Sequence, residues 1–213
     1  MAHPNLVAGC AAHSGGTWGT GDYDDAVPNP AARSVLFVIS CGMNDTGKSF
    51  GEAPLGRLEW AQRYATMLED GGFLFDAQWF EGVGHNYSGG ARQMTRDCFV
   101  ASTQLLPELA EQSDAIDGLI RGNEYAAAWD AVRACREQAE ASDEGIAARV
   151  HEAFIASLDP AVERIDRWAQ SQVRRAIRDN RDRDSRRQAL SAMREEFEGL
   201  PDATRLIVRA LGE

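Results

Sequence analysis

Lysine is all but missing from this chain: Lys48 is the only one, and every other member of the 22 basic side chains is arginine. Against them stand 33 acidic residues, for a formal net charge of −11. That balance excludes the broad basic surface needed to neutralise phosphates, so no nucleic-acid partner is expected. No apolar run is long enough to span a bilayer, and no charged-then-apolar leader is present, so no membrane association is expected either. The four cysteines (Cys10, Cys41, Cys98, Cys135) form no C-x-x-C pair. Three of them sit in apolar runs and read as small core residues of a reduced compartment, which makes the cytoplasm the expected location. Histidine is scarce too. His151 lies in a helical stretch with no second ligand one turn away, and His3 and His13 flank a strand without a partner that spacing supplies. No metal and no cofactor is therefore expected. Asp22, Asp24 and Asp25 lack the spacing and distal glutamate of a calcium loop and read as a solvated acidic loop.

What is present begins with the stretch from Ser34 to Tyr87, which reads as strand, loop, helix, strand, loop. Val35–Ile39 is a continuous, partly β-branched apolar run, the pattern of a strand buried on both faces of a parallel sheet. Leu58, Ala61, Tyr64, Ala65 and Leu68 recur at helical spacing, and Gly71-Gly72 stops that helix. Phe73–Phe80 reads as the next strand. An earlier short strand is expected over Leu6–Ala12, followed by a loop over 15–32. Parallel strands joined by a helix put their following loops at one edge of the sheet, where α/β proteins keep their chemistry. Asp45 and His85 close two of those loops. A buried aspartate holding an imidazole in one tautomer, so that its other nitrogen can take a proton, is two-thirds of a nucleophilic triad.

Gly42-Met-Asn-Asp45 matches the G-x-x-D that carries the acid in α/β-hydrolases, and Gly82-Val-Gly-His85 matches their G-x-G-H histidine loop. The segment His3-Pro-Asn-Leu-Val-Ala-Gly-Cys-Ala-Ala-His-Ser-Gly-Gly16 resembles that superfamily's strand after the nucleophile helix. The resemblance covers residues 1–107, in the family's order of acid before histidine. It lies toward feruloyl esterases, polyhydroxybutyrate depolymerases and dienelactone hydrolases, and implies a small carboxylic ester as substrate. By the same resemblance Asp45 and His85 are catalytic, and Trp18, Asn86 and Tyr87 lie in loops placed to contact substrate. The family's nucleophile motif, G-x-S-x-G, occurs nowhere in the sequence. Ser14, in Ala-His-Ser-Gly-Gly, is its nearest imitation and reads as a wall or support residue. The expectation is a chain corresponding to the C-terminal portion of such an enzyme, with the serine encoded upstream and no activity when isolated.

A competing motif occupies the same loop. Gly42-Met-Asn-Asp-Thr-Gly-Lys48-Ser49 satisfies G-x-x-x-x-G-K-[ST], the pattern of a phosphate-cradling loop and the basis of an alternative reading as a nucleotide binder. That loop must run straight into a helix, and Gly51 and Pro54 argue against one. Asp45 would also place a carboxylate inside the cradle.

Downstream, a helix from about Arg92 to Leu105 is expected, with a boundary at Pro107 and Ser113-Asp114. Residues 114–213 carry no strand pattern. Tyr125, Trp129 and Val132 share one helical face, and Ile146, Val150, Phe154 and Leu158 another. Asp159-Pro160 reads as an N-cap with proline at the first helical position, opening a helix with Val162, Ile165, Trp168 (or Ala169) and Val173 inward. Leu190, Met193 and Phe197 belong to a helix closed by Gly199, and Pro201 starts the last. The run from Arg174 to Arg187 interleaves aspartates with arginines and reads as a charge-laced, solvated helix end. The expected fold is α/β: a partial α/β-hydrolase parallel sheet of about three strands over 1–107, then an all-α helical domain over 114–213. A protein partner for the helical tail, or for the open edge of the sheet, is the third functional reading.

Overall fold

The computed structural model of the chain describes residues 7–14, 29–48, 55–142 and 145–212. Three strands, β1 (Gly9–His13), β2 (Leu36–Gly42) and β3 (Phe75–Phe80), form one parallel sheet in the order β1-β2-β3. Eight α-helices accompany it among those residues: α1 (Arg57–Asp70), α2 (Gly89–Val100), α3 (Leu106–Arg121), α4 (Tyr125–Glu140), α5 (Ile146–Ser157), α6 (Asp159–Asp179), α7 (Arg183–Glu196) and α8 (Pro201–Leu211). None is long and apolar enough to cross a membrane. The chain divides into two compact units, residues 1–110 with 141–153 and residues 111–140 with 154–213.

In the first unit β2 is the central strand. Phe37 and Ile39 on one face join Leu68 of α1 and Phe73 in a small apolar cluster, while Leu36 and Val38 alternate to the other face. Register pairs Ala12 with Ile39 and Ile39 with Ala77. β1 starts three residues later than the sequence pattern indicated (Leu6 lies outside the described residues) and ends at His13. Its residues Cys10, Ala11 and Ala12 are exposed, because the strand lies at the sheet's edge. The last part of the expected loop is ordered as a short helical turn, Pro30–Ser34, capped by the Asn29 side chain. α1 buries Trp60, Ala61, Ala65 and Leu68, and closes at Gly72, whose φ of +65° only glycine adopts without strain.

The helix expected to stop near Leu105 continues through Pro107. Proline lacks the N–H of a regular helical bond, and the turn before it widens: Ala101–Leu105 is a π-helical turn in which Leu106 N–H reaches back to Ala101 O. Ser113 and Asp114 accordingly lie inside α3.

The second unit is a helical bundle with one core, including Trp129, Ile165, Val173, Leu190, Phe197 and Ile207. Tyr125 is half-buried and stacks on Trp168 with ring centroids 5.6 Å apart. Asp159 is not the cap of α6. Leu158 carries helical backbone angles (φ −82°, ψ −6°), so the chain passes from α5 to α6 without the extended residue a side-chain cap needs, and Asp159 is the first helical residue. Leu200 likewise opens α8 without a cap of its own. Asp166 of α6 supplies one from across the bundle, its buried carboxylate accepting from Ala203 N at 2.9 Å and Asp202 N at 3.1 Å.

Candidate active site

The loops that leave the carboxyl ends of β2 and β3 are stitched together by their backbones. Met43 N donates to Phe80 O at 2.9 Å and Asn44 N to Val83 O at 2.9 Å, joining the loop after β2 to the loop after β3. Gly42 permits that approach: a Cβ there would lie 2.2 Å from Val83 O. Asp45 N turns back to Gly42 O, and the start of α1 closes on the same loop, with Leu58 N on Asp45 O and Arg57 N on Gly47 O. The turn thus aims the Asp45 side chain inward, where it is 2% exposed.

His85 meets it there. His85 Nδ1 lies 2.9 Å from Asp45 Oδ2, while the imidazole as a whole is 60% exposed. Burial pushes the Asp45 carboxyl up, but hydrogen bonds from His85 and Ser14, the charge of His85 and the Arg57 guanidinium outweigh it. Together they hold it below its ordinary value. An ionised carboxylate only accepts, so Nδ1 carries the proton and, in the neutral ring, Nε2 carries the lone pair. Among the described residues nothing bonds Nε2, which faces outward from the pair. The geometry is that of a general base with its orienting acid.

Arg57 and Cys41 escaped the sequence reading. Arg57 Nη1 reaches Asp45 Oδ1 at 3.2 Å and Gly47 O at 3.4 Å. An arginine in the first turn of a helix opposes the macrodipole, and that mismatch is the one sequence signal that something anionic lies nearby. Cys41 lies beneath the carboxylate, its thiol 4.0 Å from Asp45 Oδ2 and 3.8 Å from Ser14 Oγ. Burial pushes that thiol up, which keeps it protonated and leaves it no nucleophile.

Ser14 is a support residue, as its surroundings in sequence indicated. It sits at φ +49°, buried, with its N–H on Ser40 O at 2.8 Å and its hydroxyl 3.3 Å from His13 Nε2 and 3.8 Å from Cys41 Sγ. Among the described residues no hydrogen bond joins that hydroxyl to the Nε2 of His85. His13, without a partner by spacing, finds two in space besides its neighbour Ser14, whose Oγ lies 3.3 Å from Nε2. It donates from Nε2 to Asn86 O at 2.8 Å and accepts at Nδ1 from Ser40 Oγ at 2.9 Å, latching the histidine loop to β1 and β2. Asn86 contributes its backbone carbonyl to that latch and keeps its side chain exposed. Tyr87 packs edge-on against His13 at 5.3 Å, with its hydroxyl 2.5 Å from Thr95 Oγ1, and remains 44% exposed beside the pair. Trp18 lies outside the described residues, as do Asp22, Asp24 and Asp25.

Lys48 is exposed at the end of the loop, and the next helix among the described residues begins at Arg57. Ser49 and residues 50–54 lie outside the described residues. Among the described residues no group of three or more His, Cys, Asp or Glu is placed to hold a metal ion. None of the protein families, curated proteins and solved structures compared with this chain matches it.

Proposed function

We propose that the first unit carries the acid and base of a serine-type carboxylic ester hydrolase related to the α/β-hydrolases. The observation that supports this reading is the 2.9 Å bond between a buried aspartate and an exposed imidazole, at the carboxyl edge of a parallel sheet. His85 Nε2 takes the proton of an attacking serine hydroxyl and later returns it to the leaving alcohol. Asp45 fixes the ring's tautomer and stabilises the imidazolium between those steps. Tyr87 and Asn86 line the approach to His85. Ser14 is not the nucleophile in this reading, since its hydroxyl lies against His13 and Cys41 and not against His85 Nε2. The serine is supplied by a segment other than the described ones, and the chain alone does not turn over esters.

The test is to express the chain together with any in-frame coding sequence upstream of the Met1 codon, and to assay p-nitrophenyl esters with fluorophosphonate labelling. The reading expects a G-x-S-x-G serine in that extension, labelled and active, with turnover lost by a factor of ~10⁴ or more in His85→Ala. Fluorophosphonate on Ser14, or an active enzyme indifferent to His85→Ala, would overturn it.

A further inference from the structure

The second unit holds a charged groove that the hydrolase reading does not use. Arg181, Arg183, Arg186 and Arg187, at the turn between α6 and α7, and Arg209, in the last turn of α8, line a concavity of about 370 Å³. Leu190, fully buried, also lines it. Two of the three aspartates interleaved with these arginines in sequence are engaged elsewhere, and the third, Asp184 in the first turn of α7, does not line the groove. Asp179 pairs with Arg178 at 3.2 Å and Arg175 at 3.4 Å, both on α6. Asp182 caps α7, accepting from Ser185 N at 2.8 Å. Arg186 is held by two backbone carbonyls, those of Asn180 at 3.0 Å and Arg181 at 3.5 Å. Arg181, Arg183, Arg187 and Arg209 have no carboxylate partner among the described residues, and no carboxylate among those residues lines the groove.

Like charges gathered in one concavity repel, and an anion between them relieves that repulsion. The first turn of α7 carries the positive end of its dipole, with its amides already capped by Asp182. The last turn of α8 carries the opposite partial charge, which Arg209 complements from its own helix.

We propose that this groove binds a compact polyanion, a small molecule bearing two or more linked phosphates. Guanidinium forks match phosphate oxygens two at a time, and several forks in one concavity match several charges. The volume admits a small ligand. An extended nucleic acid would meet the repulsion of a chain carrying −11 overall, whereas a compact anion meets the local excess of arginine.

Calorimetric titration of the full chain with inorganic tripolyphosphate, at low and at physiological ionic strength, tests it. The arginines other than Arg186 are exposed, so Arg183→Gln/Arg187→Gln and Arg187→Gln/Arg209→Gln should fold as the parent does, by circular dichroism. The expected result is one saturable, salt-sensitive site, weakened tenfold or more in both pairs and unchanged in Arg164→Gln/Arg167→Gln. No saturable binding, or equal weakening in the control pair, would overturn the site. Equal affinity for orthophosphate or for an oligoglutamate peptide would overturn the assignment of linked phosphates.

Discussion

Asp45 is approached from four sides: His85 on one oxygen, Arg57 on the other, and Ser14 and Cys41 from within the sheet. A carboxylate so surrounded contributes to folding only while ionised. Its folded value lies below the ordinary 3.8, so the stability it adds is present above pH 3.8 and is lost as pH falls through the folded value beneath. Asp45→Asn is therefore expected to flatten the acid limb of a stability profile measured by urea unfolding at successively lower pH. At neutral pH it should cost about 1–3 kcal/mol, because the one amide oxygen can accept from Arg57 or from His85 and the NH2 group that replaces the other oxygen faces a donor. Gly42 offers a steric counterpart. In Gly42→Ala the added methyl meets backbone rather than a movable side chain, at 2.2 Å, so the two loops must part. A loss of about 2 kcal/mol or more is expected, with faster amide exchange at Asn44, whose N–H crosses between the loops. Asp45 and His85 themselves were legible in the sequence because short glycine-containing turns fix them locally. The contacts of Arg57 and His13 were not, since they depend on which elements lie side by side.

At the scale of elements, the hydrophobic periodicity placed all three strands and the inward faces of α1, α4 and α6, since period and burial are the same physical fact. It misplaced the ends. Pro107 reads as a terminator by its chemistry, yet a single widened turn absorbs the missing donor, and nothing in the local sequence announces that turn. Asp159 reads as a cap, yet its neighbour Leu158 stays helical. The cap that matters lies elsewhere: Asp166, one face of α6, satisfies two orphan amides at the start of α8 through a contact 36 and 37 residues distant. Helix starts leave such donors unpaired, and a buried one is costly. Asp166→Ala is expected to lower stability by about 1–3 kcal/mol, and Asp166→Asn by less, since its amide oxygen still accepts. Hydrogen exchange should show the loss concentrated at Asp202 and Ala203, whereas a merely general weakening would spread it along the bundle.

Charge and the sheet's edge act together at the scale of the whole molecule. At neutral pH an excess of −11 opposes association of copies of the chain, and among the described residues no strand pairs with the outer edge of β1. β3 carries Asp76 within its run, a charge that discourages edge-to-edge pairing, whereas Gly9–His13 offers only Gly, Cys, Ala, Ala and His. The excess vanishes near the isoelectric point of about 4.9. Repulsion then no longer opposes pairing along β1, whose Ala11 and Ala12 are exposed among the described residues. Light scattering is expected to peak near that pH. Ala11→Lys, which puts a charge on the edge, should lower the peak several-fold. Ala126→Lys, which puts the same charge on an exposed helical face, should shift the peak's pH without lowering it. Equal suppression by both variants would mean that net charge alone governs association and that β1 takes no part.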